Sequence, residues 1–396
     1  MEGYFSKVLI DAHTSTCIED WRVSSDDLRL GDREWVIEKR RLHGGLQEGV
    51  DVVEVDNGRL SFSIVPTRGM GVWKGSFEGL PLGWLSPVKT PVHPSHVRLE
   101  ERGGLGFLDG FNEWVVRCGL ESNGAPGEDV IVDNMGNAKG VNLTLHGKIA
   151  NIPAERVEVR VGLEPPHELT VVGTACERSM FGANLCMKSH ISTVPGGNCL
   201  RLEDVIENRR STPWEMQLLY HCNYGEPFLE RGSRLVAPVR SVAPRDARAA
   251  GDVQNWNAFG PPEPGFIEQV YFCDLLWDQG GRTKVMLANG GGDKAVTASF
   301  SRSELPCFTL WKNTAEIKDG YVVGLEPATN YPNGKRFERS QGRVVKLGPG
   351  DRYRAEVLLE THIGETAVSR IEDEIAGIQM QAQPKILSSV DPRLSG

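Results

Sequence analysis

What most limits the fold of this chain is the spacing of its apolar residues. They come in short runs, alternating or continuous, and glycine, proline or asparagine cuts off each run before a helical period develops. Val52 to Val55 and Leu60 to Val65 flank Asp56-Asn57-Gly58, the signature of a tight hairpin turn. Further strands are predicted at Val157 to Val161, Leu169 to Val172, Leu200 to Val205, Glu215 to Tyr220, Val270 to Leu275 and Lys284 to Ala288. The series continues with Ala295 to Phe300, Phe308 to Trp311, Val344 to Leu347 and Tyr353 to Leu359. Turn signals fall between them at Pro195 to Asn198, Asn289 to Asp293 and Pro349 to Asp351. So many strands with so few helical periods predict an all-β, largely antiparallel sandwich.

Two stretches break this pattern. Glu365 to Ile378 sets Val368, Ile371 and Ile375 on one face of an amphipathic helix, followed by a polar tail from about Pro384. Pro244 to Pro264 is rich in proline, alanine and small polar residues and reads as a long excursion over the surface. The expected organisation is N-terminal strands and loops in residues 1–48, a sandwich in 49–363 and a C-terminal helix and tail in 364–396.

Composition narrows the function. The 396 residues carry a formal charge of −9 with lysine and arginine scattered, which argues against a nucleic-acid or anionic-membrane surface. No run reaches the roughly 18 to 20 apolar residues that cross a bilayer, and Met1 to Asp20 lacks the order of a signal peptide, so a cytoplasmic location is expected. The eight cysteines include no CxxC pair and read mostly as small buried hydrophobes in a reducing compartment. Cys222 adjoins His221, yet neighbours on a strand point to opposite faces, which disfavours a Cys/His pair.

Chemistry concentrates in a few stretches. In QLLYHCNYGEP an apolar run delivers His221 and then Asn223 to a proline-broken end. An imidazole there is either a satisfied core histidine or an acid or base working near its ordinary pKa. NEWVVRCGLESNGAP carries Arg117 at the end of a short strand and Asn123 in the loop beyond it, and LTLHGKIANIPA sets His146 before Gly147. GLEPATNYPNG places Glu326 after an apolar run; that carboxylate either caps loop amides or, desolvated, serves as a base. Arg68, in PTRGMGVW, either faces a sugar or ties backbone carbonyls, and Trp73, Trp84, Trp114, Trp214 and Trp311 suit sugar faces or the core.

These motifs, with ENRRSTPWEMQLLYHCNYGEP, IEQVYF and WKN, occur in order over about Gly49 to Leu359. Together they resemble the aldose 1-epimerase (galactose mutarotase) superfamily, most closely its DUF4432 branch. The resemblance implies a galactose mutarotase-like β-supersandwich with few short helices and a sugar site on its concave face. It also implies an isomerase that interconverts sugar anomers without a cofactor or metal. Glu326 would take the anomeric proton, His221 would protonate the ring oxygen, and His146 would hold a sugar hydroxyl. Arg117, Asn123, Asn223, Glu268, Lys312 and Arg68 would complete the substrate site. Glu268 stands where mutarotases carry an aspartate, and His-Cys-Asn stands where they show histidine, tyrosine and phenylalanine.

The expected partner is a small-molecule sugar, with no nucleic acid or membrane and possibly a second copy of the chain. Two alternatives stay open: a non-catalytic carbohydrate-binding or regulatory protein, and lyase or keto-sugar chemistry on the same sandwich, in which Lys312 would take part. Zinc held by His146, His221 and Glu268 is a minor variant.

Overall fold

Each predicted strand forms. The coordinates are a computed structural model and describe residues 3–30 and 33–396; residues 1–2 and 31–32 of the expected N-terminal unit lie outside them. Among the described residues the strands build a ten-stranded sheet, a fourteen-stranded sheet and a separate hairpin, Gly127–Val132 with Ala138–Leu143. Among the described residues all but one of the pairings between strands are antiparallel, the exception being a short contact between Val239–Pro244 and Lys385–Ile386.

The larger sheet carries the chemistry. Its middle runs in the order Val239–Pro244, Gln269–Leu275, Cys307–Thr314, Tyr321–Ala328, Trp214–Tyr224, Val115–Leu120 and Gly71–Phe77. Strand parity divides its residues between two faces. In Trp214–Tyr224 the even positions Met216, Leu218, Tyr220, Cys222 and Tyr224 enter the core between the sheets, with Leu200, Leu202 and Val357 of the smaller sheet. The odd positions Leu219, His221 and Asn223 turn to the other face, where Leu219 joins a smaller cluster with Phe107, Phe111, Val116 and Ala328. Cys222 therefore packs in the core, away from the His221 ring, as parity requires.

Some strands were not visible as apolar runs. Asn184–Thr193 reads NLCMKSHIST, too polar for a hydrophobic pattern, yet it pairs along both sides within the smaller sheet. The predicted helix spans Glu365–Gln379 and packs Val368, Ile371 and Ile375 on Met286, Ala288 and Ala295, outside that sheet.

Two expectations need correction. The Pro244 to Pro264 stretch is not a loose excursion: it forms a helical turn at Ala247–Ala250 and buries Ala249, Val253, Trp256 and Phe259 in the main core. Its spaced apolar residues anchor it, and proline and alanine richness concealed them. Among the cysteines, Cys118, Cys222, Cys273 and Cys307 are buried thiols, but Cys17 is exposed, and Cys176 and Cys186 form a disulfide. These two stand directly opposite on neighbouring strands, with Cα atoms 4.1 Å apart. No helix among the described residues is long and apolar enough to cross a membrane.

Candidate active site

Backbone register brings the central pair together. Leu219 faces Ala328 and Cys222 faces Leu325 across two neighbouring strands, so His221 stands directly opposite Glu326. Their side chains meet with His221 Nε2 3.1 Å from Glu326 Oε1, and the residues are only 4% and 2% exposed. Gly324 makes room for the contact: a Cβ there would lie 2.8 Å from Glu326 Oε1 and 2.9 Å from the His221 ring.

Hydrogen bonds orient both histidines. Asn223 donates Nδ2 to the carbonyls of Glu113 and His221, which turns its Oδ1 to accept from His221 Nδ1 at 2.6 Å. With Nδ1 carrying a proton, His221 Nε2 is the nitrogen that exchanges one with Glu326. His146 donates Nδ1 to the Asn123 carbonyl at 2.9 Å, leaving its Nε2 free to accept from a hydroxyl. The His146 and His221 rings lie edge to face with centroids 5.4 Å apart. Gly147, next to His146, is at φ 70°, and a Cβ there would lie 2.0 Å from the Ser122 carbonyl oxygen, which accounts for the His-Gly pair.

Burial sets the electrostatics. It pushes the Glu326 carboxyl well above the usual carboxylate range; Glu268 adds to this and Arg245 opposes it. Burial likewise holds His221 well below the ordinary imidazole value, and His146 reinforces that while Asn223 opposes it. His146 is also lowered by burial, with the Asn123 carbonyl and Glu268 pulling the other way. The coupled pair therefore keeps one proton between two groups, either as carboxylic acid and imidazole or as carboxylate and imidazolium.

Further residues continue across the same face. Trp311 packs its ring on His221 at 5.3 Å and donates Nε1 to Glu268 at 2.7 Å, and Arg245 donates to the other Glu268 oxygen at 3.0 Å. Glu268 is exposed at the rim. Phe111 lies edge-on to His221 at 5.1 Å and Phe107 to His146 at 4.9 Å. Arg245, Phe107 and Phe111 escaped the sequence reading. Arg245 follows a strand it does not belong to, and GFLDGF has neither strand nor helix period.

Four expected substrate residues sit elsewhere. Arg117 shares the core face with Tyr220, its cross-strand partner, and donates from Nε and Nη2 to the two oxygens of buried Asp204 at 3.0 and 3.2 Å. Strand parity points it between the sheets. Lys312 likewise faces away from its neighbour Trp311; its Nζ donates to the Asn255 carbonyl at 3.1 Å, with Asp252 at 3.8 Å, and burial lowers its pKa. Arg68 is fully buried on Glu113 at 2.7 Å and on Asn151 and the Val92 carbonyl, so it ties structure together. The Asn123 side chain is locked in a reciprocal amide pair with Asn330, and only its backbone carbonyl serves the site.

Among the described residues no group of three or more His, Cys, Asp or Glu side chains is gathered to hold a metal ion, so His146, His221 and Glu268 are not such a set.

Comparison with known proteins identifies the family and the fold. No curated protein matches the sequence. A solved structure of a candidate aldose 1-epimerase from Klebsiella pneumoniae is 35% identical and superposes with a TM-score of 0.92 over 98% of this chain and 99% of that one. A galactose mutarotase-like protein from Clostridium acetobutylicum shares the fold at 15% identity, with a TM-score of 0.55 over 87% of this chain and 99% of that one. A galactose 1-epimerase from Lactobacillus acidophilus does so at 11% identity, with a TM-score of 0.52 over 83% and 99%. The family model for DUF4432, a domain of unknown function, matches residues 47–361. The chain belongs to the DUF4432 family and is built on the galactose mutarotase-like β-sandwich fold.

Proposed function

We propose that this protein interconverts the anomers of a free aldose by acid–base opening and closing of its ring. The observation that carries the reading is the buried contact between His221 Nε2 and Glu326 Oε1 at 3.1 Å. Ring opening moves two protons at one carbon: the anomeric hydroxyl loses one while the ring oxygen, bonded to the same carbon, gains one. An acid and a base in mutual contact can address both oxygens.

In its ionic form the pair supplies Glu326 as carboxylate and His221 as imidazolium. Glu326 takes the hydroxyl proton, the anomeric C–O bond becomes a carbonyl, the bond to the ring oxygen breaks, and His221 delivers its proton to that oxygen. The pair is then neutral, the form that burial favours, so desolvation lowers the cost of the open-chain state. Rotation about the adjacent carbon–carbon bond presents the other carbonyl face, and the same transfers run backward to close the opposite anomer.

Asn223 holds the His221 ring in register for these transfers. His146 Nε2 and the Glu268 carboxylate accept sugar hydroxyls, and Trp311 offers its face to the C–H side of the ring. Polarimetry over a panel of freshly dissolved sugars tests the reading. At least one sugar should equilibrate faster with the wild type, and His221→Asn should cut that acceleration by about 10²–10⁴-fold while the fold is kept. A wild type that accelerates none of them, or a variant as fast as wild type, refutes it.

A further inference from the structure

Trp73 and Trp84 are two of the five tryptophans that suit sugar faces or the core, and the acid–base pair uses neither. Both lie on its side of the larger sheet. Val116 pairs with His221 and Val72 with Val115, and Trp73 packs with Leu42, Val50, Val52 and Val65, away from the main core that takes Val72, on the face of His221 two strands along. At strand spacing that is about 10 Å. The register slips at this point: Ser63 faces Lys74 and Ile64 faces Val72, leaving Trp73 as the extra residue of a bulge. Bulges re-aim side chains, and here Lys74 Nζ sits 4.4 Å over the Trp73 ring.

Beside the bulge is a cavity of ≈ 530 Å³ bounded by Trp73, Lys74, Leu82, Trp84 and Lys89, the size of a small-ligand site. Trp84 connects it to the active site: its ring lies 5.2 Å from Phe111, which in turn lies 5.1 Å from His221. Lys74 and Lys89 form no ion pair among the described residues, although Lys74 rests on the Trp73 ring and the Glu226 carboxylate lines the same cavity. The face around Glu326, His146 and Glu268 offers mainly acceptors instead.

We propose that this cavity is a second sugar subsite, which takes the neighbouring residue of a reducing oligosaccharide whose terminal ring is opened by His221 and Glu326. The proposal rests on the ring-opening reading given above. A terminal ring with its anomeric carbon at the pair extends its far hydroxyls along the sheet face, and a residue linked there reaches the cavity. The C–H face of that second ring meets the Trp84 indole, while its oxygens accept from Lys89 and from Lys74, which the Trp73 ring holds at the edge of the cavity.

Calorimetric titration with a panel of reducing disaccharides, and with the monosaccharide of each reducing end, is the test. At least one disaccharide should bind about tenfold tighter than its monosaccharide, a gain of about 1.4 kcal/mol. Trp73→Ala and, at the exposed rim, Lys74→Ala should each reduce that gain severalfold. The subsite is refuted if no disaccharide gains over its monosaccharide, or if the gain survives in both variants. A Trp73-dependent gain without any anomer exchange in the wild type sinks the ring-opening reading alone and leaves the subsite standing.

Discussion

Replacing Glu326 by glutamine separates the proton from the shape. The amide keeps the volume and can donate to His221 Nε2, so packing and one hydrogen bond survive while the titrating carboxyl goes. In the wild type the folded pair holds one proton, because burial raises Glu326 and lowers His221. In the unfolded chain the carboxyl titrates near 4.3 and the imidazole near 6.5. Between these values the unfolded pair also holds one proton, so its contribution to stability is level. Above about pH 6.5 the unfolded pair holds none while the folded pair keeps its proton. Stability then falls as pH rises, by up to about 1.4 kcal/mol per unit, until the folded pair loses its proton. Glu326→Gln removes that loss: the folded variant holds no proton, so its stability rises with pH up to about 6.5 and then levels off. The variant should therefore gain on the wild type throughout, by as much as about 4 kcal/mol between pH 5 and pH 8. Urea unfolding followed by tryptophan fluorescence at pH 5, 6, 7 and 8 measures the difference directly, since all other groups cancel. A difference that stays flat with pH, or that falls, would show that the buried carboxyl ionises as an ordinary one.

Other consequences follow from the geometry. Arg117→Met should cost about 3–5 kcal/mol in denaturant unfolding, because it strands Asp204 as a buried unpaired charge. The anomer-exchange rate of the molecules that remain folded should not change. Lys312→Met should leave kcat/KM unaltered, since the ammonium faces Asn255 and Asp252 on the other side of its strand; a drop would return it to the site. Asn223→Ala removes the acceptor that fixes the His221 ring, and should lower kcat by about 10- to 100-fold with little change in KM.

Much of this layout was legible in the sequence. The alternating runs gave the sandwich, and the family resemblance singled out Glu326, His221 and His146, which the structure brings together on one face. Face assignment was the weak point. Every residue from Met216 to Tyr224 is buried, so hydrophobicity alone does not reveal which positions enter the main core and which take the opposite face of the sheet. Parity counted from His221 places Asn223 beside it, but Arg117 and Lys312 lie on other strands, where the count depends on register. Register was not readable locally. Arg245 and Phe111 come from segments outside the site strands, and no local pattern ties a loop residue to a histidine far away in the chain.

The central claim is that His221 and Glu326 act as one proton-exchanging unit on a sugar. Its most direct test is exchange NMR between the two anomers of an accelerated sugar, run with wild type, Glu326→Gln, His221→Asn and the double variant. The account predicts that each single change abolishes most of the acceleration and that the double variant is no slower than the worse single one. Two independent losses that multiply, or single variants that still exchange at the wild-type rate, would contradict it.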